Sequence, residues 1–225
     1  MNSVADVGGR VAQRYRELDL PPWPDPHPGM SSPADEEYSR VTDGGRYRIV
    51  QERSRLWAAE LGAVPGVTAA PLAESDVEPD PHRIFVSGTR LTSERAGTLP
   101  LYLLELDVRL TAEEGSLPVL RIGVGRPEIV VQSLPDCGCD ACDSGSADLL
   151  TTIDETVARI VGGPLVVLRG PGWQAEWSPD GSSVGGTPGA PDFHDITERC
   201  RRLAGGETVE LPPGTEAFVG RAWFG

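Results

Sequence analysis

Between Arg83 and Leu134 the chain alternates short apolar runs with turn residues, and this rhythm limits the folds open to it. Arg83 to Val86, Leu101 to Leu110, Val119 to Val124 and Glu128 to Leu134 are rich in Val, Ile and Leu, which pack well on a pleated surface. Gly, Pro and acidic residues divide them, as in Glu113-Glu114-Gly115-Ser116. Short connections suit hairpins rather than crossover helices, so the spacing predicts an antiparallel meander. Leu101 to Leu106 is nearly continuous in apolar residues, as expected of a central strand covered on both faces.

Helical periodicity flanks the meander. Residues 5 to 19 place Val11, Tyr15 and Leu18 on one side. After Thr42 or Asp43 as a cap, Tyr47, Val50, Ser54, Trp57 and Leu61 recur at helical spacing until Gly62 and Pro65. Another stripe, Leu149, Ile153, Val157 and Ile160, follows Ser144 or Ser146 and stops at Gly162-Gly163-Pro164. Phe193, Ile196, Cys200 and Leu203 predict a helix over 192–203. Leu165 to Arg169 and Trp173 to Trp177 predict a hairpin around Gly170-Pro171-Gly172, residues 180–191 a loop, and Val209 to Leu211 and Ala217 to Trp223 closing strands.

The expected fold is therefore α+β, a mostly antiparallel sheet with three to four packed helices. Residues 1–37 read as an N-terminal helix and a Pro-rich arm, and 38–225 as a single α+β domain. The arm, Leu20 to Glu37, carries Pro21, Pro22, Pro24, Pro26, Pro28 and Pro33, so it should be extended or disordered. Trp23 is its candidate anchor to the body.

The chemically pointed feature is Cys137-Gly138-Cys139-Asp140-Ala141-Cys142, three thiols within six residues. Such a string offers three thiolates from one tight loop, and zinc prefers four ligands in a tetrahedron with sulfur among its favoured donors. Gly138 is expected to supply unusual backbone angles. Asp136, Asp140 and Asp143 flank the thiols; negative neighbours disfavour free thiolates and favour a bound dication. The metal ligands expected are Cys137, Cys139 and Cys142, with Cys200 as the first choice for the fourth. His82, His194 and an aspartate are the other candidates. A redox pair and an iron–sulfur cluster are the competing uses of the sulfurs.

Other signals point away from known chemistries. Gly181-Ser182-Ser183-Val184-Gly185 matches G-x-S-x-G but lies in a Gly-rich stretch without the strand-to-helix turn a nucleophile needs. Gly123-Val124-Gly125 lacks the third glycine of a dinucleotide site, and there are only three histidines. A net charge of −14 disfavours nucleic acid and anionic membranes, and suits a basic protein partner. Met1 to Arg16 has no apolar core of the signal-peptide kind, no stretch is long and apolar enough to span a bilayer, and clustered thiols suit a reducing compartment, so a cytoplasmic location is expected.

The cysteine string, with Asp143 after it and Tyr38-Ser39-Arg40-Val41-Thr42 ahead of a helix, resembles a family of uncharacterised proteins from GC-rich soil bacteria, catalogued as a domain of unknown function. The resemblance runs from about residue 35 to the end. It implies a single cytosolic domain and brings no activity. The expected function is an acidic binding module, not an enzyme, with a structural zinc clip. The alternatives are a metal-dependent enzyme with an open cysteine-ligated zinc and His194 or Asp195 as base, or a small-molecule binder with a pocket at Trp173 and Trp177.

Overall fold

A computed structural model describes residues 3–29, 31–110, 115–187 and 190–225 of the chain. The meander forms. Strands β1 (Val67–Pro71), β2 (Arg83–Ser93), β3 (Leu101–Arg109), β4 (Ser116–Val124) and β5 (Val130–Leu134) lie side by side in chain order, each neighbouring pair antiparallel. β3 is the middle strand, and Leu101 through Leu106 are all buried, as continuous apolarity requires. Glu113 and Glu114 of the expected β3–β4 turn lie outside the described residues.

Helices α1 (Val4–Glu17), α2 (Ile49–Gly62) and α3 (Ser146–Gly162) pack together and against this sheet. α1 starts where Ser3 and Asp6 cap each other reciprocally, and it buries Val7 and Val11 in the main core. Burying each valine stabilises by roughly 1.5–3 kcal/mol. Charge also ties the helices. Glu60 of α2 accepts from Arg10 at 2.6 Å and Arg14 at 2.9 Å, while Asp154 of α3 binds the buried Arg53 and accepts from Trp57 Nε1 at 2.7 Å.

A second antiparallel sheet has the order β8 (Gly181–Gly186), β7 (Trp173–Ser178), β6 (Leu165–Gly170), β9 (Glu216–Gly220). β6 alternates by strand period. Leu165 and Val167 join the main core, while Val166 and Leu168 pack with α4 (Phe193–Ala204) through Ile196 and Cys200. The molecule is thus one α+β domain with four helices and two antiparallel sheets among the described residues.

Several segments depart from their local signals. Val-Thr-Ala-Ala-Pro has weak strand propensity, yet Val67–Pro71 pairs along β2 from Val67 opposite Ser93 to Pro71 opposite Thr89. The loop expected over 180–191 is in part strand: β7 offers a ladder that Gly and Ser residues accept, and Gly181–Gly186 becomes the sheet edge. Conversely Val209 to Leu211 is not a strand; Leu211 packs on the α4 cluster. The last strand, β9, stops at Gly220.

The cap residues differ too. A 3-10 turn, Gly44–Arg48, leads straight into α2, and neither Thr42 nor Asp43 caps it. Gly145, at φ +83°, takes the cap position of α3, while Ser144 binds Asp148 and Ser146 binds the Trp23 carbonyl. Trp173 is buried and Trp177 half-buried in the apolar cluster under α4. A cleft of about 690 Å³ lies between α3 and the β7–β8 turn, lined by Glu155, Arg159, Ser178 and Asp180.

Candidate metal centre

β5 ends at Leu134, which pairs with Leu120, and the next eleven residues lead to the start of α3. Within this connection Asp140–Cys142 forms a single 3-10 turn, with the Cys142 amide donating to the Cys139 carbonyl at 3.0 Å. The turn folds the chain back so that Sγ of Cys137, Cys139 and Cys142 all lie within 4.8 Å of one another. Sγ of Cys137 and Cys139 are 3.2 Å apart. Thiolates on a tetrahedral zinc sit about 3.8 Å apart when each zinc–sulfur bond is about 2.3 Å, a spacing within the 4.8 Å limit that holds for all three pairs.

Gly138 serves this turn through space rather than backbone angle. Its φ is not in the left-handed region, but a Cβ there would lie 2.3 Å from Leu117 Cδ2. Cys139 is buried, while Cys137 and Cys142 are exposed. Burial alone would raise the Cys139 thiol. Hydrogen bonds from the Cys137 and Cys142 thiols and from the Cys142 and Ala141 amides outweigh it, and the group is held below its ordinary value. Hydrogen bonding with Cys139, then burial and the neighbouring Cys137, pushes the Cys142 thiol up to about 12. The two thiols are pushed in opposite directions, Cys139 down and Cys142 up. A dication is what allows all three to lose their protons together.

The aspartates are not arranged as the sequence suggested. Asp140 is buried and turned toward the segment before α2. Its carboxylate accepts from the Thr42 amide at 2.9 Å, the Thr42 hydroxyl at 2.5 Å and Arg40 Nε at 2.7 Å. Burial opposes ionisation of Asp140, but these donors hold its carboxyl below the ordinary value. Asp143 accepts from Arg46 at 2.6 Å, from Trp23 Nε1 at 3.0 Å and from the Gly145 amide at 2.9 Å. Two of the three carboxylates are therefore compensated by arginines, and only Asp136 stays exposed. The crowding by anions expected around the sulfurs is largely neutralised. What favours a metal is the convergence of the sulfurs themselves.

The Pro-rich arm closes over this loop. Trp23 and Ser146 are joined through both backbones, and the Ser146 hydroxyl lies 3.1 Å from both the Trp23 amide and carbonyl. The Trp23 ring meets Tyr47 edge-on with centroids 5.7 Å apart, and Arg46 stacks over both rings. A Cβ on Gly145 would lie 2.6 Å from the Asp25 amide nitrogen, so glycine is needed there for contact as well as for angle. His27 Nε2 lies 3.3 Å from the Asp140 carbonyl.

Cys200 is placed elsewhere. It is fully buried in α4 among Val166, Leu168, Trp173, Ala175 and Ile196, and burial pushes its thiol up to about 11. It is not in the group of converging sulfurs. A small apolar thiol on a helix stripe does the packing work of an alanine or valine. His82 is exposed at the start of β2, its amide bonded to Asp80, and the His194 and Asp195 amides are both bonded to the Asp192 cap of α4.

The residues that brace the loop, Arg40, Thr42, Arg46 and Trp23, lie far from it in sequence. One clue existed: the two strings that carried the family resemblance meet in space, since Arg40 and Thr42 of the first hold Asp140 of the second.

The sequence matches the family described as "Family of unknown function (DUF6226)" over residues 11–225. The chain belongs to that family. The match takes in the Pro-rich arm and the second half of α1, beyond the start near residue 35 expected from the two strings. Neither a curated protein nor a solved structure matches it. No helix among the described residues is long and apolar enough to cross a membrane.

Proposed function

We propose that this protein is a non-enzymatic binding module whose β5–α3 connection is fastened by one divalent cation, zinc first, on Cys137, Cys139 and Cys142. The observation that carries this reading is the convergence of the three sulfurs within 4.8 Å on a turn braced separately by Arg40 and Arg46. A preformed, braced thiol trio lowers the ordering cost of metal uptake. Three thiolates donate charge to zinc and make it a weak Lewis acid, which favours a structural role over hydrolysis. Thiols held free in this way suit a reducing, cytoplasmic setting. The body carries a net charge of −14, which would steer a basic protein partner toward it.

The test is elemental analysis of the chain expressed and purified without added metal, beside the Cys137→Ser and Cys142→Ser variants. One zinc per wild-type chain, lost in both variants, supports the proposal. A folded, metal-free wild type that takes up no zinc on titration and yields a Cys137–Cys139 disulfide under mild oxidant would replace it with the redox reading. Pull-down with basic proteins tests the partner class: capture that salt does not weaken would refute an electrostatic partner.

A further inference from the structure

A zinc held by three thiolates has a fourth position to fill, and the distribution of imidazoles bears on which residue fills it. Cys200 packs in the apolar cluster beneath α4. His82 and His194 are exposed at the starts of β2 and α4. His27 is different, because the arm runs back along the cysteine loop in step with it. Trp23 sits at Ser146, the Pro24–Asp25 peptide lies over Gly145, and the half-buried His27 ring reaches Asp140, inside the turn that carries Cys139 and Cys142.

We infer that His27 is the fourth metal ligand and that metal uptake latches the N-terminal arm to the body. The inference rests on the three-cysteine reading above. A backbone carbonyl only accepts, so the contact between His27 Nε2 and the Asp140 carbonyl is a hydrogen bond only when Nε2 carries the proton. In the neutral ring that leaves the lone pair on Nδ1. Metal-bound histidines show this pattern: one ring nitrogen ligates while the other N–H donates to a carbonyl or carboxylate that fixes the tautomer. The His27 ring nitrogens are not among the atoms that lie within 4.8 Å of one another, so coordination requires the ring to move toward the sulfurs. The arm is already held beside the cysteine loop at Trp23 and at the Pro24–Asp25 peptide over Gly145. The latch would couple the cation to a segment more than a hundred residues away, through one side chain.

Cobalt(II) titration of the full chain, with competition by zinc, tests this. Wild type should show thiolate-to-cobalt charge transfer and the visible bands of a tetrahedral site. The His27→Ala variant should keep the charge transfer, shift its visible bands as water replaces imidazole, and bind zinc at least about 10-fold more weakly, the smallest loss seen even when an outer-shell partner is removed. A long-range proton–nitrogen spectrum of wild type gives a second readout without a substitution. On zinc addition one of the three imidazoles should change at Nδ1, and His82→Gln and His194→Gln should leave that change in place. Unchanged affinity and bands in His27→Ala, or no imidazole that responds to zinc, would overturn the role of His27 and leave the three-cysteine site standing. Absence of thiolate-to-cobalt charge transfer in wild type would overturn the site itself.

Discussion

Replacing Asp140 by alanine isolates the brace that holds the cysteine turn. The carboxylate is buried and takes two hydrogen bonds from Thr42, at 2.9 Å from the amide and 2.5 Å from the hydroxyl. Hydrogen bonds to a charged group contribute about 1.5 kcal/mol each at the low end, so losing both costs about 3 kcal/mol. The Arg40 contact is left out of this sum because that guanidinium is solvated. For a chain of this size 1 kcal/mol moves Tm by about 2–4 °C, so the melting point should fall by roughly 6–12 °C. Urea unfolding followed by tryptophan fluorescence measures the same loss as a lower midpoint at unchanged slope. The pH dependence has a definite sign. The folded-state pKa of Asp140 lies below its ordinary value, so its stabilisation is complete above the ordinary carboxylate range and disappears as pH falls through the lower folded value. The gap between wild type and Asp140→Ala should therefore close below about pH 4. A variant within about 0.5 kcal/mol of wild type at pH 7 would refute the assignment of Asp140 as a brace.

Three further outcomes are expected. Gly138→Ala forces Leu117 aside and should cost about 1–3 kcal/mol, part of which returns in the Gly138→Ala/Leu117→Ala double variant if the clash is the cause. Cys200→Ala removes a buried sulfur and should lower stability by about 1 kcal/mol while leaving zinc stoichiometry unchanged; loss of zinc would make Cys200 a ligand after all. Glu60→Gln breaks the ties from α1 to α2, and because Arg10 and Arg14 are 40% and 48% exposed its cost should be only about 1 kcal/mol, shrinking in high salt when followed by thermal melts.

Much of the architecture was legible because it is written in short-range periodicity. The four apolar runs, the stripe Leu149, Ile153, Val157, Ile160 and the hairpin around Gly170-Pro171-Gly172 each declare themselves within a dozen residues, and each forms. Val67–Pro71 and Gly181–Gly186 were not legible, because their strand character comes from a partner already in place rather than from their own side chains. At the candidate metal centre the thiol trio was legible from its spacing. The fourth ligand was not legible, since a stripe position on a helix such as that of Cys200 marks a core residue as readily as a ligand.

The thiols meet because their spacing and one turn leave them little alternative, so chemistry encoded over six residues follows from the primary structure alone. What the aspartates do was settled by packing: Thr42 reaches Asp140 across 98 positions and Trp23 reaches Asp143 across 120. Carboxylates that look in the linear string like companions of a dication are in the fold the anchors of arginine, threonine and tryptophan. Hydrogen bonds and ion pairs act over a few ångströms of space and are indifferent to separation along the chain, so no local pattern could have announced them.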